Sequence, residues 1–307
     1  MCETCGCNIT PGNEHLVRGE GKHSKTVDGR AAVEVLTSLL DENDHQALHN
    51  REHFDSHGVL ALNLMSSPGA GKTSLLEATI DALQDELRIA VIEGDLETEN
   101  DAERIRAKGV PAIQIATGSA CHLDAHMVHD ALHRLDLADI DLLFIENVGN
   151  LVCPASFDLG QHRNVTLLSV PEGDDKPAKY PVMFRAADLV LLSKADLLPV
   201  LDDFDPARAE GYLRHLASSV PFEQVAIRGE QKRLAPWLDW LRSELAAQGR
   251  RRAAGKTARP SVQPDGARLH TQAQATDRAA AHGHSHGHGH HHQFPAEAPE
   301  RHTQISA

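Results

Sequence analysis

The chain has 307 residues, a formal net charge of −14, 41% hydrophobic residues and five cysteines. An acidic surface of that size repels a phosphate backbone, which argues against nonspecific nucleic-acid binding. No apolar run approaches the roughly 20 residues that a membrane helix needs. The opening Met-Cys-Glu-Thr-Cys lacks a basic-then-apolar leader pattern, so a cytoplasmic protein with reduced thiols is expected.

In chain order, residues 1–29 read as a flexible N-terminal arm carrying Cys2, Cys5 and Cys7 in the pattern C-x-x-C-x-C. Three soft thiolates so close together can enclose one thiophilic ion. A redox pair is the alternative, but such pairs belong at strand–helix junctions rather than on an arm. Residues 30–53 carry Ala32, Val33, Val35, Leu36, Leu39 and Leu40 at helical spacing, which predicts a helical lead-in.

From residue 59 onward the apolar pattern alternates. Strand-like runs occupy 59–65, 88–93, 111–116, 141–146, 164–170 and 188–193, and helical periodicity fills 73–86, 99–108, 122–136, 206–218 and 234–247. Continuous apolar strands alternating with amphipathic helices predict an α/β domain over 30–249, a mostly parallel sheet with helices on both faces. Beyond it, 250–307 is poor in large apolar residues and reads as a disordered tail. That tail holds a histidine-rich run: His282, His284, His286, His288, His290, His291 and His292. An affinity tag is the bland explanation. The interspersed Gly and Ser, and the continuation to Ala307, favour a weak, multiple store for nickel, zinc or copper.

The first strand runs into Ser66-Ser67-Pro68-Gly69-Ala70-Gly71-Lys72-Thr73-Ser74 and a helical pattern follows at once. This is the strand–loop–helix setting of a phosphate-binding loop, a P-loop NTPase signature with Ser66 in place of its first glycine. Backbone N–H groups of Gly69, Ala70, Gly71 and Ser74 can face phosphate oxygens. Lys72 would reach the β- and γ-phosphates, and the Thr73 hydroxyl would ligate Mg²⁺. Asp95 and Glu146 end neighbouring strands and can hold Mg²⁺ or its waters, and Gly149 lets backbone approach the γ-phosphate. In Ser193-Lys194-Ala195-Asp196 the Asp196 carboxylate can accept from N1 and N2 of guanine, which favours GTP over ATP, while the Lys194 stem covers the base. A solvated acid or lysine at a strand end is the plain alternative for each.

Cys121, His122 and Cys153 form a second metal-competent set, two sulfurs and one nitrogen. Taken singly, each has a simpler reading as a buried small residue or a surface imidazole. Cys121-His122 is expected to open the 122–136 helix. Cys153 shares a loop with Glu146 and Gly149, so nucleotide state could alter metal affinity there.

These motifs together resemble the HypB family of GTPases, which insert nickel during [NiFe]-hydrogenase maturation. The matching segments are residues 1–7, 62–73, Glu93-Gly94-Asp95, 118–125, 146–154 and 170–177, and the likeness covers about residues 1–245. Ser66 is ordinary in that family. The resemblance implies a SIMIBI-class G domain that dimerises through its metal face, with Cys121, His122 and Cys153 as nickel or zinc ligands near the interface. It further implies a tight nickel site at Cys2, Cys5 and Cys7. The implied partners are a HypA-type metallochaperone and the hydrogenase large-subunit precursor. Departures are the C-terminal placement of the histidines, Ser193 where GTPases usually have Asn, and Val225-Ala226-Ile227-Arg228-Gly229-Glu230 where the family has a Ser-Ala-Thr-like loop. Neither an arginine finger nor a catalytic glutamine stands out, which suits a slow switch. The alternatives are a urease-type nickel GTPase (UreG), a nickel storage protein and an ATP-driven kinase.

Overall fold

In the computed structural model, residues 32–260 are described apart from 96–98, 119, 217–219 and 230–231. Seven strands form one sheet: β1 (Leu60–Ser66), β2 (Ile89–Asp95), β3 (Ala112–Ala116), β4 (Leu142–Glu146), β5 (Arg163–Ser169), β6 (Leu189–Ser193) and β7 (Phe222–Gln224). Their order is β3-β2-β4-β1-β5-β6-β7 and every ladder is parallel, as the apolar runs predicted. All residues of β1 are buried, as a central strand covered on both faces must be.

Among the described residues, eight α-helices accompany the strands: α1 (Ala32–His57), α2 (Lys72–Leu83), α3 (Asn100–Arg106), α4 (Ala125–Leu132), α5 (Lys176–Lys179), α6 (Pro181–Arg185), α7 (Pro206–Leu216) and α8 (Ala235–Ala253). The period of two along each strand sorts the core. Leu60, Leu62 and Leu64 of β1 face a cluster with Leu75, Leu76 and Ile80 of α2 and Trp237 and Leu241 of α8. Ala61 points the other way, into a cluster with Phe54 of α1 and Val128 and Leu132 of α4. A third cluster joins Leu168, Val190 and Leu192 to Met183 and Phe184 of α6 and Ala209 and Leu213 of α7. Trp237 is fully buried, and its indole N–H donates to Thr79 Oγ1 at 2.8 Å, which ties α8 to the helix that follows the phosphate loop. Trp240 stacks on Trp237 with ring centroids 5.7 Å apart.

Three expectations change. The predicted helix over 122–136 starts only at Ala125, because the Asp124 side chain caps it by accepting from Met127 N at 2.8 Å. Cys121 and His122 therefore sit on a bend ahead of the helix instead of opening it. The last helix passes the expected boundary at 249 and runs to Ala253, with Arg250, Arg251 and Arg252 in its final turn, where cations suit the helix dipole. Arg251 pairs with Glu244 at 3.1 Å, Ala258 beyond the helix is buried, and Arg163 Nη1 donates to Arg259 O. The folded part thus reaches at least residue 260. Finally β7, α5 and α6 were absent from the sequence reading, since they are three to five residues long or opened by proline.

Candidate nucleotide and metal sites

The parallel register brings Ser66, Asp95, Glu146 and Ser193 to the same edge of the sheet, the carboxyl ends of the strands, where β1 lies between β4 and β5. Open α/β sheets bind ligands at such a switch point. A cavity of about 670 Å³ opens there, floored by residues 68–75 and walled by Asp95, Glu146, Gly149, Lys194 and Asp196. That volume lies within the range of small-molecule sites. Gly69, Ala70, Gly71, Lys72, Thr73 and Ser74, all singled out from sequence, line it together.

The loop turns because Gly71 takes φ 99°, ψ 28°, a left-handed conformation that L side chains rarely adopt, as the residue before α2. The first N–H groups of α2 then face the cavity with the positive end of the helix dipole, an arrangement suited to phosphate. Gly149 serves differently. A Cβ there would lie 2.8 Å from Pro68 Cα, so only glycine lets the β4 loop lie against the phosphate loop.

Lys72 is buried, with Nζ 3.2 Å from Ser66 Oγ and 3.8 Å from Glu146 Oε1. Thr73 Oγ1 donates to Glu146 Oε1 at 3.0 Å. Beside them stands Glu93, which the sequence reading passed over. Burial, and then the neighbouring Glu146 charge, push its carboxyl up to about 11, so without a cation beside it the group holds a proton, which a bound ion would displace. Glu93 Oε1 and Glu146 Oε2 are buried without a hydrogen-bond partner. With Thr73 and Asp95 they form an oxygen-only donor set, and those orphaned oxygens fit a magnesium ion with its waters.

On the base side, Lys194 is the only non-glycine with positive φ among the described residues (φ 57°), and its Nζ donates to Gly69 O at 2.7 Å. Ser193 Oγ donates to Ala70 O, also at 2.7 Å. Ser193 thus fastens the base loop to the phosphate loop with its hydroxyl. Val225 O accepts from Ala195 N at 3.1 Å, and Val225, Ile227 and Arg228 line the cavity beside Asp196. Through these residues the divergent segment after β7 still borders the base pocket. Arg104, from α3, also lines it, held by Glu77, Asp101 and Ser74.

The metal-competent set closes nearby. Ligand atoms of Cys121, His122 and Cys153 lie within 4.8 Å of one another. The two sulfurs are 3.0 Å apart, well outside the ~2.05 Å of a disulfide. The Cys121 thiol donates to Cys153, a proton that a bound ion would displace. His122 stacks on Phe157 at 4.0 Å, and burial lowers its basicity, which keeps the imidazole neutral and able to ligate.

Two asparagines connect the two sites, and the sequence reading assigned neither a role. Asn147 follows Glu146 directly and is buried; its Oδ1 accepts from Leu123 N at 3.1 Å and its Nδ2 donates to Asn63 Oδ1 at 3.2 Å. Asn150 Nδ2 donates to Cys121 O at 3.3 Å, and its Oδ1 accepts from Val152 N at 2.8 Å. The signal available in sequence was two amides within a strand-end loop, 146–153, already bracketed by a candidate acid and a candidate thiol. Cys2, Cys5, Cys7 and the histidines from His282 to His292 lie outside the described residues.

Comparison with known proteins agrees with this geometry. The CobW/HypB/UreG nucleotide-binding domain profile matches residues 60–223. The hydrogenase maturation factor HypB of Escherichia coli K12 is 50% identical over 77% of this chain and 81% of its own length. That of Cupriavidus necator H16 is 46% identical over 91% of this chain and 96% of its own. The crystal structure of HypB from Helicobacter pylori in complex with nickel superposes with a TM-score of 0.64 at 43% identity, covering 67% of this chain and 96% of that one. The chain belongs to the CobW/HypB/UreG family and, within it, to the HypB branch.

Proposed function

We propose that this HypB-branch chain is a GTP-hydrolysing nickel chaperone that delivers the ion to the large-subunit precursor of a [NiFe]-hydrogenase. The relatives' role in hydrogenase maturation and the nickel-bound relative support the cargo and its destination. The observation that carries the reading is the shared loop. Glu146 and Gly149 border the phosphate cradle, Cys153 borders the thiol pair, and Asn147 and Asn150 bind the residues around Cys121 and His122.

The residues divide the work. Lys72 neutralises charge that develops on the transferred phosphoryl group, and the α2 N-terminus and loop N–H groups hold the phosphates. Asp196 accepts from guanine, positioned by the Ser193 and Lys194 tethers. Thr73 and Asp95, with Glu146 behind them, would hold Mg²⁺, which supplies further charge neutralisation when bound. A shift of the 146–153 loop with nucleotide state then repositions Cys153 against Cys121 and His122. GTP favours a homodimer joined through this metal face, and a HypA-type metallochaperone exchanges nickel or zinc with it in the cytoplasm. The Cys2, Cys5 and Cys7 arm holds nickel tightly, and the His282–His292 run stores it.

The test is nickel affinity of the full chain with and without GTP and Mg²⁺, beside a Cys121→Ala/Cys153→Ala variant. The expected result is a nucleotide-dependent affinity in the parent that the double variant lacks. Identical affinity in every nucleotide state would overturn the coupling.

A further inference from the structure

The folded domain holds a histidine cluster that takes no part in either site. On α1, His45, His49, His53 and His57 recur every four residues, so they share one stripe of the helix. His129 on α4 and His133 at its C-cap repeat the spacing. Phe54 of α1 packs in one cluster with Val128 and Leu132 of α4, which brings the two histidine rows face to face. The ring nitrogens of His49, His53 and His129 come within 4.8 Å of one another. The ring centroids of these residues are 4.5, 5.0 and 5.8 Å apart. His133 joins them, its Nε2 3.2 Å from His129 Nε2. A cleft of about 270 Å³ opens alongside, lined by His53, His57, His129 and His133.

Chance crowding would leave the ring orientations unspecified. Here one is specified. Asn50 spends its amide N–H₂ on Ala125 O (2.8 Å) and Leu159 O (3.1 Å). Its Oδ1 therefore faces His129 Nδ1 at 3.1 Å as an acceptor, and Nδ1 must carry the proton. The lone pair of His129 is left on Nε2, which accepts from His133 Nε2–H at 3.2 Å, a proton that an ion between the rings would replace. A metal-ligating histidine typically has its other N–H bound to a carbonyl or carboxylate oxygen in this way. His57 is oriented likewise, with Nδ1 2.9 Å from His53 O. The separation also fits. Two nitrogens bonded to one ion at ~2.0–2.1 Å sit about 3.0–3.4 Å apart, and the Nε2 pair stands at 3.2 Å. Burial and the neighbouring imidazoles lower the pKa of His53 and of His129, with Glu52 and Asp130 the opposing charges, and Asp136 lines the cleft.

We propose that His49, His53, His129 and His133 form an all-imidazole site for a divalent ion of borderline softness, nickel or zinc, between α1 and α4. Its chemistry differs from that of the Cys121/His122/Cys153 set. Four neutral nitrogens carry no thiolate charge, so the site holds nickel less tightly and exchanges it faster. The two are physically linked, since the eight residues of α4 begin three positions after His122. The fold would then carry both an exchangeable ion and a firmly held one.

The deciding experiment uses crystals of the full chain soaked in nickel chloride, with diffraction recorded at the nickel edge. An anomalous peak within bonding distance of His129 and His133 supports the site. A peak at Cys121 and Cys153 with none between α1 and α4 overturns it. In solution, the full-length His53→Gln/His129→Gln variant should bind one nickel equivalent fewer in equilibrium dialysis and should lose part of the nickel-induced rise in Tm. Cys121→Ala/Cys153→Ala should keep that part. GTP binding by the histidine variant checks its folding, and a folded variant that takes up as much nickel as the parent also overturns the proposal. Nucleotide coupling at the cysteines stands or falls independently.

Discussion

The two ends of the 146–153 loop are built on opposite principles. Glu146 ends a strand whose every residue is buried, and it meets Thr73 and Lys72 inside the sheet edge. Cys153 begins a short 3₁₀ turn after Val152, which is 47% exposed; the cysteine itself is buried, beside the core residues Leu151 and Ala155, and it faces Cys121, whose carbonyl accepts from Asn150. The phosphate end is set by a strand of the sheet, while the thiol end is a loop packed on the core and joined to Cys121 and Leu123 by side-chain hydrogen bonds. A site meant to bind one ligand in fixed geometry suits the first construction. A site meant to tighten and release suits the second, because a loop outside the strand ladders can shift without breaking the sheet.

That contrast can be broken first at Lys72. Lys72→Ala removes the cation between Ser66 and Glu146, and GTP turnover measured by phosphate release should fall at least ~10²-fold, with nickel binding at the cysteines retained. Next comes the base. Asp196→Ala removes an ionised acceptor for two guanine donors, each hydrogen bond worth about 1.5–3 kcal/mol. The preference for GTP over ATP in competition binding should drop by roughly 10²-fold. Asn147→Ala sharpens the comparison because it touches both ends. It leaves Leu123 N without its acceptor, which should cost about 1–3 kcal/mol in denaturant unfolding. It should also shrink the nucleotide effect on nickel affinity while leaving turnover near the parent value.

The smallest effect concerns pH. His162 is fully buried, accepts at Nδ1 from Ala61 N at 2.9 Å and faces Asp55 through Nε2 at 3.2 Å. Burial lowers its pKa below the usual histidine value despite Asp55, so the folded ring stays neutral. In the unfolded chain the ring protonates near pH 6.5. Its contribution is therefore fully present above that pH and is lost as pH falls from there through the lower folded-state value. Tm should decline in that window, and His162→Gln, which can still accept from Ala61 N, should flatten the slope.

Much of this was legible because it is local. The phosphate loop, Asp95, Glu146 and Asp196 follow apolar strands directly, and strand ends in a parallel sheet share one edge whatever the loops do. Glu93 was missed because alternation along a doubly covered strand gives no hint of which polar residue points into a cleft. Its raised pKa depends on burial and then on Glu146, more than fifty positions away. Ser193 read as a departure from the usual asparagine, yet its hydroxyl reaches Ala70 O across the fold. The start of α4 turned on one cap, Asp124, and the histidine cluster on two helices that periodicity describes separately.

The chain contains two tryptophans, Trp237 and Trp240, and both lie stacked on α8. Trp237 is bonded to Thr79, in the helix whose first turn faces the phosphates. All indole emission from this protein therefore originates in the core cluster shared with α2 and, among the described residues, none in the cluster between α1 and α4. An unlabelled sample is its own optical reporter: fluorescence follows what happens to α2, so a change on loading metal at the cysteines reads the coupling directly.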